Sequence, residues 1–421
     1  MYETALHAEA RRRIREIGTT DVVVGIPTYR NGRTIGRVME AATNGLARGF
    51  PNARAVIVNA DGGSSDNTTQ IVADWPTPPA VKKIVTPYEG LLGRGSAVRA
   101  IFEVAAALGA RLCIILSPDA RDISPNWLSL LGAPILADQC DLVLPNYDRP
   151  PLESALSDHI VSPMLRLLYG VDLRQAIGCD LAIRGDLAGL YATRDVWETD
   201  VARHGLDVWL AIVAMVEGRR IGQVNLGTKT ENIRDFIVPM DPRFLHTVGT
   251  LFRMINIHRR TWAERILRAQ LISYGMPDAG SAASSRSNIT LESIWEAAGK
   301  GRNKYRNTWR TVLASDQLER LREALRGSPA PDAVPADLWS RAVIDFAVVY
   351  NKGEGDPDKV VCALLPIYYA RVVSYALSMQ GRPPSAYEAG IQEQAAIFEA
   401  QQPYLRTRWE TYVPWVDERL H

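Results

Sequence analysis

The sequence predicts an α/β fold, a mostly parallel sheet covered on both faces, followed by a mostly α-helical C-terminal region. Short, continuously apolar runs alternate with helical patterns in the first half of the chain, as in sheets buried on both faces. From about residue 242 the strand signal fades and helical spacing continues. The chain has 421 residues, 47% hydrophobic and 23% charged, which is enough apolar mass for more than one core.

The predicted strands and helices of the first half alternate in order. The five apolar runs are residues 21–26, 55–59, 83–86, 112–116 and 141–145. The helical patterns between them are residues 34–45, 67–75 and 96–108. Parallel sheets of this kind bind ligands at the carboxyl ends of their strands. We therefore expect the functional residues directly after the strands.

The second half is predicted to be helical. The helical segments are residues 244–274, 290–303, 316–326, 337–350, 358–380 and 387–401. Loop-like stretches rich in small residues and proline, at 275–287 and 328–335, interrupt them. We expect an N-terminal helix at 1–18, a sheet domain at 19–241 and a helical domain at 242–421.

Composition excludes several classes of protein. The 48 Lys and Arg residues nearly balance the 47 Asp and Glu residues, so no bulk charge attracts nucleic acid or an anionic membrane. The four cysteines form no CxxC pair, which indicates reduced thiols in a cytoplasmic protein. Residues 1–18 are basic without an apolar core, so we expect a surface helix there, not a signal peptide. The apolar stretch 101–116 contains Glu103 and Arg111, and no membrane span is expected.

Two polar motifs follow the first two predicted strands. Residues 26–31, Ile-Pro-Thr-Tyr-Arg-Asn, form a turn on which a flat base or a ribose could rest, although a plain loop has the same pattern. Residues 59–68 contain Asp61, which can accept hydrogen bonds from a base or a ribose, and Gly62 and Gly63, which permit close backbone approach. The alternative for this second motif is a capped turn without a ligand.

Two further motifs follow the next strands. Gly93-Arg94-Gly95 opens a helix, and a cation at a helix N-terminus suits a diphosphate. Asp119 ends the predicted fourth strand, where a carboxylate can hold a divalent cation against phosphate oxygens. An aspartate at a strand end is also a common capping residue, so this motif depends on the others.

In this order, the four motifs resemble those of GT-A nucleotide-sugar glycosyltransferases. They are similar to retaining enzymes that place a sugar on glycerate or phosphoglycerate, namely mannosylglycerate synthase and glucosyl-3-phosphoglycerate synthase. The resemblance continues through residues 146–150, 175–182, 204–207, 223–231 and 355–375, and so covers nearly the whole chain. It implies a GT-A (Rossmann-like) nucleotide-sugar-binding domain followed by the helical region.

The resemblance also implies roles for individual residues. The donor-binding residues would be Pro27, Tyr29, Asn31, Asp61, Gly62, Arg94, Ser117, Asp119, Gly178 and Cys179. The acceptor-binding residues would be Arg149, Ser157, His204 and Asp207, and the catalytic residues Asp207, Asp180 and Arg94. A divalent metal, Mg²⁺ or Mn²⁺, would be held by Asp119 and Glu231.

The chain departs from the family pattern at four places. Ser117 stands where the family has the first acid of its D-x-D motif, and Glu231 where it has a metal-binding histidine. Gly178-Cys179-Asp180 replaces Gly-Gly-Glu at the sugar pocket. Residues 153–159 lack the arginine that holds an acceptor phosphate and carry Glu153 and Asp158, which disfavours a phosphorylated acceptor.

Taken with the resemblance, these observations predict a cytoplasmic, metal-dependent, retaining hexosyltransferase. Its donor would be GDP-mannose or UDP-glucose, its acceptor a small hydroxy acid such as D-glycerate, its product a compatible solute, and its oligomeric state a homodimer. Neither nucleic acid nor membrane is an expected partner. The alternatives are a nucleotidyltransferase, or a degenerate sugar-nucleotide-binding protein, which Ser117 and Glu231 motivate. We expect His159 to be structural.

Overall fold

The predicted fold class is confirmed: an eight-stranded sheet with flanking helices is combined with a largely helical region. The computed structural model describes residues 3–148, 151–229, 242–264, 271–274 and 290–413. Its strands are β1 (Val22–Thr28), β2 (Ala55–Asp61), β3 (Val81–Pro87), β4 (Leu112–Ile115), β5 (Leu142–Asp148), β6 (Leu181–Arg184), β7 (Ile221–Thr228) and β8 (Leu271–Tyr274). All five predicted strands are present, within a few residues.

Within the described residues, each predicted helical segment is helical to within a few residues except at one place, described below, and the structure contains further helices that were not predicted. In the first half the helices are α1 (Ala8–Ile17), α2 (Ile35–Gly49), α3 (Thr68–Asp74), α4 (Arg94–Ala107), α5 (Asn126–Leu136), α6 (Pro151–Leu156), α7 (Ser162–Tyr169), α8 (Gly185–Ala192) and α9 (Leu206–Val216). A π-helical turn, Ser157–Val161, joins α6 to α7, and a 3₁₀ turn, Asp200–Ala202, precedes α9.

The remaining helices belong to the C-terminal half. They are α10 (Pro242–Ile257), α11 (Arg259–Ala263), α12 (Leu291–Lys304), α13 (Arg306–Val312), α14 (Ser315–Ala324), α15 (Ala336–Lys352), α16 (Pro357–Ser378), α17 (Pro384–Ala400) and α18 (Gln402–Glu410).

The sheet has the strand order β3-β2-β1-β4-β6-β5-β7-β8. Strands β3, β2, β1 and β4 pair in parallel, as do β5, β7 and β8, while β6 runs antiparallel to both β4 and β5. Because β6 runs in the opposite direction, its first residue lies at the edge where its neighbours end. Residues 178–180, which precede β6, therefore join the loops at the carboxyl edge of the sheet.

Strand β8 corrects the prediction of a helix through residue 274. Residues 271–274, Leu-Ile-Ser-Tyr, pair in parallel with β7, and Leu271 lies opposite Ile221. A four-residue apolar segment is too short for periodicity to distinguish a strand from a helix. Its strand conformation comes from the open edge of β7, which supplies its hydrogen-bond partners.

The chain divides into two compact units made of interleaved segments. The first contains residues 1–149, 176–231 and 269–281, and the second contains residues 150–175, 232–268 and 282–421. This division differs from the predicted single boundary after residue 241, and helix α1 is part of the first unit. Residues 150–175 belong with the C-terminal helices because α7 packs on α17, where Arg166 Nε donates to Glu399 at 2.8 Å.

Close packing of α4 on β1 fixes the position of this helix in the first unit. A Cβ atom on Gly25 in β1 would lie 2.3 Å from Ile101 Cγ2, so only glycine allows this approach. Ile101 and Phe102 of α4 are fully buried. The packing places the N-terminus of α4, and with it Arg94, at the carboxyl edge of the sheet.

Helix α16 forms much of the core of the second unit. Among the described residues it is the one helix whose length and apolar composition would allow it to cross a membrane, and 78% of its most apolar window is buried inside the protein. A buried core helix passes the same test, so α16 is weak evidence for a membrane span. The absence of a membrane partner stays a prediction.

A buried polar network connects the π-helical turn to α16 and α17. Gln394 Oε1 accepts a hydrogen bond from Arg371 Nε at 2.9 Å and lies 3.1 Å from His159 Nδ1, which therefore carries the proton. Gln394 Nε2 donates to Asp158 O at 2.8 Å, and Trp339 Nε1 donates to His159 O at 2.7 Å. His159 is 1% exposed, in agreement with the structural role expected of it.

Acidification is expected to destabilise the protein through His159. Burial, and then the charge of Arg371, lower the pKa of His159 to about 3. An unfolded histidine titrates near its ordinary pKa of about 6.5, so below that pH the unfolded state binds a proton that the folded state does not. Stability is therefore lost as pH falls, by about 2–3 kcal/mol between pH 6.5 and pH 4.5.

Urea unfolding at a series of pH values measures this effect. His159→Gln keeps a donor for Gln394 and is expected to flatten the dependence of the unfolding free energy on pH between 6.5 and 4.5. His204→Gln, at an exposed histidine, serves as the control and is expected to leave the slope unchanged. An unchanged slope in His159→Gln would contradict the prediction.

Candidate active site

The loop after β2 is organised by Asp61. Its Oδ1 accepts hydrogen bonds from Thr28 Oγ1 at 2.7 Å and Ser64 Oγ at 2.6 Å. Its Oδ2 accepts from the backbone N–H groups of Gly63 at 2.9 Å and Ser64 at 2.7 Å. A base or a ribose would have to share these oxygens. The predicted ligand contact of Asp61 remains untested, and the structure adds a second role, which is to hold the loop.

The loop after β1 is tied to the loop after β2 through backbone N–H groups. The bonds are Arg30 N to Ser64 Oγ at 2.8 Å, Asn31 N to Thr68 Oγ1 at 2.8 Å and Gly32 N to Asp66 Oδ2 at 3.0 Å. Asn31 Oδ1 accepts from Tyr29 N at 2.8 Å, and Pro27 is buried within β1. The side chain of Tyr29 is 56% exposed at this edge, with the Arg30 guanidinium 5.1 Å from its ring centroid. Tyr29 therefore offers an open aromatic face.

The glycines at the start of α4 have a structural reason of their own. A Cβ atom on Gly95 would lie 1.9 Å from Val201 O, and one on Gly93 would lie 2.4 Å from Ala202 O. From the sequence alone, glycines beside a cation at a helix start predict a diphosphate site. The structure shows that backbone packing against the turn before α9 already requires them, so they are not evidence for a phosphate.

Arg94, the first residue of α4, is the central cation of this edge. Its Nη1 donates to Asp207 Oδ1 at 2.7 Å and its Nη2 to Cys179 O at 2.7 Å, while its buried Nε has no hydrogen-bond partner among the described residues. The side chains of Arg94 and Asp207 are 16% and 5% exposed. Burial lowers the pKa of Arg94, but Asp207 outweighs it and the pKa lies above its ordinary value. Arg94 thus keeps a positive charge where α4 and α9 begin.

Asp180 is enclosed by hydrogen-bond donors. Its Oδ1 accepts from Ser117 N at 2.7 Å, and its Oδ2 accepts from Lys229 Nζ at 2.6 Å and from the Tyr147 hydroxyl. Asp180 is 1% exposed. Its predicted catalytic role is untested, and in this arrangement the carboxylate anchors the turn of residues 178–180 to the ends of β4 and β7.

Asp119 lies after β4 and, of the two predicted metal ligands, is the one within the described residues. Its Oδ1 accepts from Ser117 Oγ at 2.9 Å, and the residue is half-buried. The described residues contain no group of three or more metal-binding side chains. Magnesium is commonly held by one or two carboxylates together with substrate phosphates, so Asp119 fits a cation that binds with a nucleotide. Glu231, the second predicted ligand, lies outside the described residues.

The predicted acceptor residues are only partly described. Arg149 lies outside the described residues, His204 is exposed directly before α9, and Ser157 is buried in the second unit. Asp207 is held by Arg94, as above. Of the four, His204 and Asp207 thus lie in one short segment of the first unit.

The structure corrects the charge argument made from Asp158. Its carboxylate is fully buried in the second unit, 3.0 Å from Arg174 Nη1, and accepts hydrogen bonds from Ser154 and Tyr387. Burial raises the pKa of Asp158, which Arg174 opposes. A charge that is buried and compensated does not repel a phosphate, so Asp158 gives no reason to exclude a phosphorylated acceptor.

Three residues of this edge were missed by the sequence analysis. Tyr88 OH accepts a hydrogen bond from Gly93 N at 3.0 Å and so holds the start of α4. Tyr147 and Lys229 enclose Asp180. Both lie within segments that carry the family resemblance, but lysine is rarely buried, and no local pattern signals that Lys229 is.

No protein-family model and no curated protein matches the chain. Among solved structures, glucosyl-3-phosphoglycerate synthase from Mycobacterium tuberculosis in complex with Mn²⁺, UDP and glucosyl-3-phosphoglycerate is similar, with a TM-score of 0.42 and 16% identity over 58% of this chain and 83% of that one. The same enzyme with phosphoglyceric acid has a TM-score of 0.40 and 15% identity, over 60% and 86% of the two chains.

Proposed function

We propose that the chain is a retaining glycosyltransferase that moves a hexose from a nucleoside-diphosphate sugar to a small hydroxy acid. The observation that carries the proposal is the position of Arg94. A largely buried cation with a spare N–H group lies at the carboxyl edge of the sheet, among the motifs that resemble those of nucleotide-sugar enzymes. Ligands of such sheets bind at this edge, and a guanidinium favours a diphosphate.

The donor would bind along the loops of the first unit. The exposed ring of Tyr29 suits stacking on a nucleobase, and the loop held by Asp61 suits the ribose. Arg94 would face the diphosphate or the adjoining sugar. A divalent cation bound at Asp119 would neutralise charge on the leaving diphosphate.

The arrangement of carboxylates supports attack on the same face as the departing diphosphate. Asp61, Asp180 and Asp207 are each held by donors of the protein. A double displacement needs a carboxylate that can reach the anomeric carbon and bond to it. With these aspartates engaged, the chain's contribution is to orient the donor and stabilise the leaving group with fixed charges.

The proposed acceptor is D-glycerate or a similar hydroxy acid, with its carboxylate on Arg149 and its hydroxyl near Asp207. A planar guanidinium pairs well with a carboxylate through two hydrogen bonds. The donors proposed are GDP-mannose and UDP-glucose. We also propose that the protein is a cytoplasmic homodimer and that its product is a compatible solute.

Thermal unfolding with UDP, GDP and ADP, each with Mg²⁺ or Mn²⁺, tests the nucleotide. A ligand present at 100 times its Kd stabilises a protein by about 2.7 kcal/mol, and we expect one diphosphate to raise Tm clearly above the others. The matching sugar nucleotide is then incubated with glycerate or 3-phosphoglycerate, and product is measured. No stabilisation by any diphosphate would contradict the proposal.

The same incubation separates the two alternatives. A nucleotidyltransferase would release pyrophosphate, whereas a glycosyltransferase releases a nucleoside diphosphate. A degenerate binding protein would bind the donor tightly and release neither.

A further inference from the structure

Two cations, one buried and one largely buried, hold consecutive carbonyl groups of the turn at residues 178–180. Lys229 Nζ donates to Gly178 O at 2.9 Å, and Arg94 Nη2 donates to Cys179 O at 2.7 Å. Lys229 also pairs with Asp180, the next residue of the same turn, at 2.6 Å. The three residues of the turn are thus each bound by one of the two cations.

Burial of Lys229 indicates that its charge has a specific task. The residue is 0% exposed, and its Nζ lies 4.8 Å from the centroid of the Tyr147 ring. Desolvating an ammonium and a carboxylate together is costly, and apolar residues of similar volume often fill such a space with equal or greater stability. The Lys229–Asp180 ion pair therefore contributes more to the geometry of the turn than to the stability of the fold.

The turn itself needs to be held. Cys179 has φ 64°, the left-handed region that is unfavourable for a residue with a side chain. Gly178 packs against Pro145 of β5, and a Cβ atom on Gly178 would lie 2.3 Å from Pro145 Cγ. The hydrogen bonds that Lys229 and Arg94 donate to the two carbonyl oxygens hold the turn in this strained conformation.

The position of the turn connects it to the proposed donor. Ser117 N, two residues before Asp119, donates to Asp180, and Arg94 links Cys179 to the start of α4. The turn therefore lies between the carboxylate and the guanidinium proposed for the diphosphate. The group next to the diphosphate in the donor is the sugar.

We propose that Lys229 is a positioning residue for the donor sugar. It fixes the turn of residues 178–180, against which the sugar rests, without contacting the sugar itself. This proposal rests on the proposed function. It adds that Lys229 is needed for the protein to bind a sugar nucleotide more tightly than the bare diphosphate.

Paired binding measurements on Lys229→Met test this role. The probes are UDP and UDP-glucose, or GDP and GDP-mannose, according to which diphosphate the wild-type protein binds. We expect affinity for the sugar nucleotide to fall about tenfold, as when a displaced turn loses about one hydrogen bond to the sugar, and affinity for the diphosphate to stay within about twofold.

Lys83→Met is the matched control. Lys83 Nζ donates to the carbonyl oxygens of Val72, Ala73 and Trp75 at the end of α3, so this variant removes a similar lysine–carbonyl clamp elsewhere in the same unit. It is expected to leave the ratio of the two affinities unchanged. Equal losses of both affinities in Lys229→Met, no loss of either, or the same change of ratio in Lys83→Met would overturn the proposal.

A milder variant keeps the test decisive if Lys229→Met does not fold. Tyr147→Phe removes the hydroxyl that binds Asp180 and keeps the ring beside Lys229. We expect about a threefold loss of sugar-nucleotide affinity with the diphosphate unaffected, and an unchanged ratio would overturn the proposal. A wild-type protein that binds none of the diphosphates would instead refute the proposed function.

Discussion

Replacement of Arg94 by alanine is expected to lower kcat/KM for sugar transfer by about 10²–10³-fold. Loss of one preorganised donor to developing charge typically costs this much in rate. Arg94 is the first residue of α4, and its contacts with Asp207 and Cys179 O keep its guanidinium in one orientation. No movement of the cation is then required when negative charge develops on the diphosphate.

The variant also leaves Asp207 buried without its partner, so stability has to be measured separately. Removing one member of a buried pair costs about 3–5 kcal/mol. Arg99→Ala is a matched control, because Arg99 lies on the same helix and pairs with Glu103 at 2.9 Å with side chains only 11% and 15% exposed. We expect Arg99→Ala to lose stability and to keep most of its activity in the folded fraction.

Arg94→Lys distinguishes charge from geometry. Lysine keeps the positive charge but cannot donate in a planar fork to both Asp207 and Cys179 O. We expect its kcat to lie between those of alanine and wild type, with a smaller loss of stability. Activity of Arg94→Ala within tenfold of wild type, per folded molecule, would contradict a role for this cation in the reaction.

The sequence was informative where the periodicity was strong. Four of the five strands of the first half were predictable because each contains a continuous apolar run, whereas β3 contains Lys82 and Lys83. Strands β1 and β2 are buried at every position. The loops after them were predictable as candidate sites because parallel strands bring their carboxyl ends to one edge. The topology of β6 was not predictable, since a four-residue strand does not reveal its direction.

The function of individual residues was harder to infer than their location. Asp61 and Asp180 are acids at strand ends, and sequence alone does not show that their oxygens are filled by neighbouring donors. Gly93 and Gly95 suggest a phosphate loop, yet the distant Val201 and Ala202 explain them. The glycine contacts join residues more than 100 positions apart in the chain, and those of Asp180 join residues 33 to 63 positions apart, separations that local patterns do not report.

The interleaving of the two units has the same origin. Residues 150–175 pack with α17 through Arg166 and through Asp158, whose partner Tyr387 lies 229 positions away in sequence. Composition shifts near residue 242 indicate where most of the chain becomes helical. They do not indicate that an earlier helical segment joins the C-terminal helices.

Replacement of Asp119 by asparagine is expected to abolish the contribution of Mg²⁺ or Mn²⁺ to nucleotide binding. The described residues hold no preformed cluster of metal-binding side chains, and Asp119 offers one carboxylate oriented by the Ser117 hydroxyl. Magnesium held in this way depends on substrate phosphates for further ligands. Metal and nucleotide should therefore bind together in the wild-type protein, each raising the affinity for the other by the same factor.

Titration calorimetry of diphosphate binding, with and without metal, measures this coupling and does not depend on enzymatic activity. We expect the metal to strengthen binding in wild type by about 10–100-fold, the range for a coupling of roughly 1.4–2.8 kcal/mol, and to have no effect in Asp119→Asn. Asparagine is nearly isosteric, so the Ser117 hydroxyl keeps an acceptor and the fold should be retained. Asp74→Asn, at an exposed acid of α3, controls for the loss of one negative charge from the same unit. Metal-strengthened binding that persists in Asp119→Asn would show that this carboxylate is not a ligand, and would leave Glu231 as the acid to be tested.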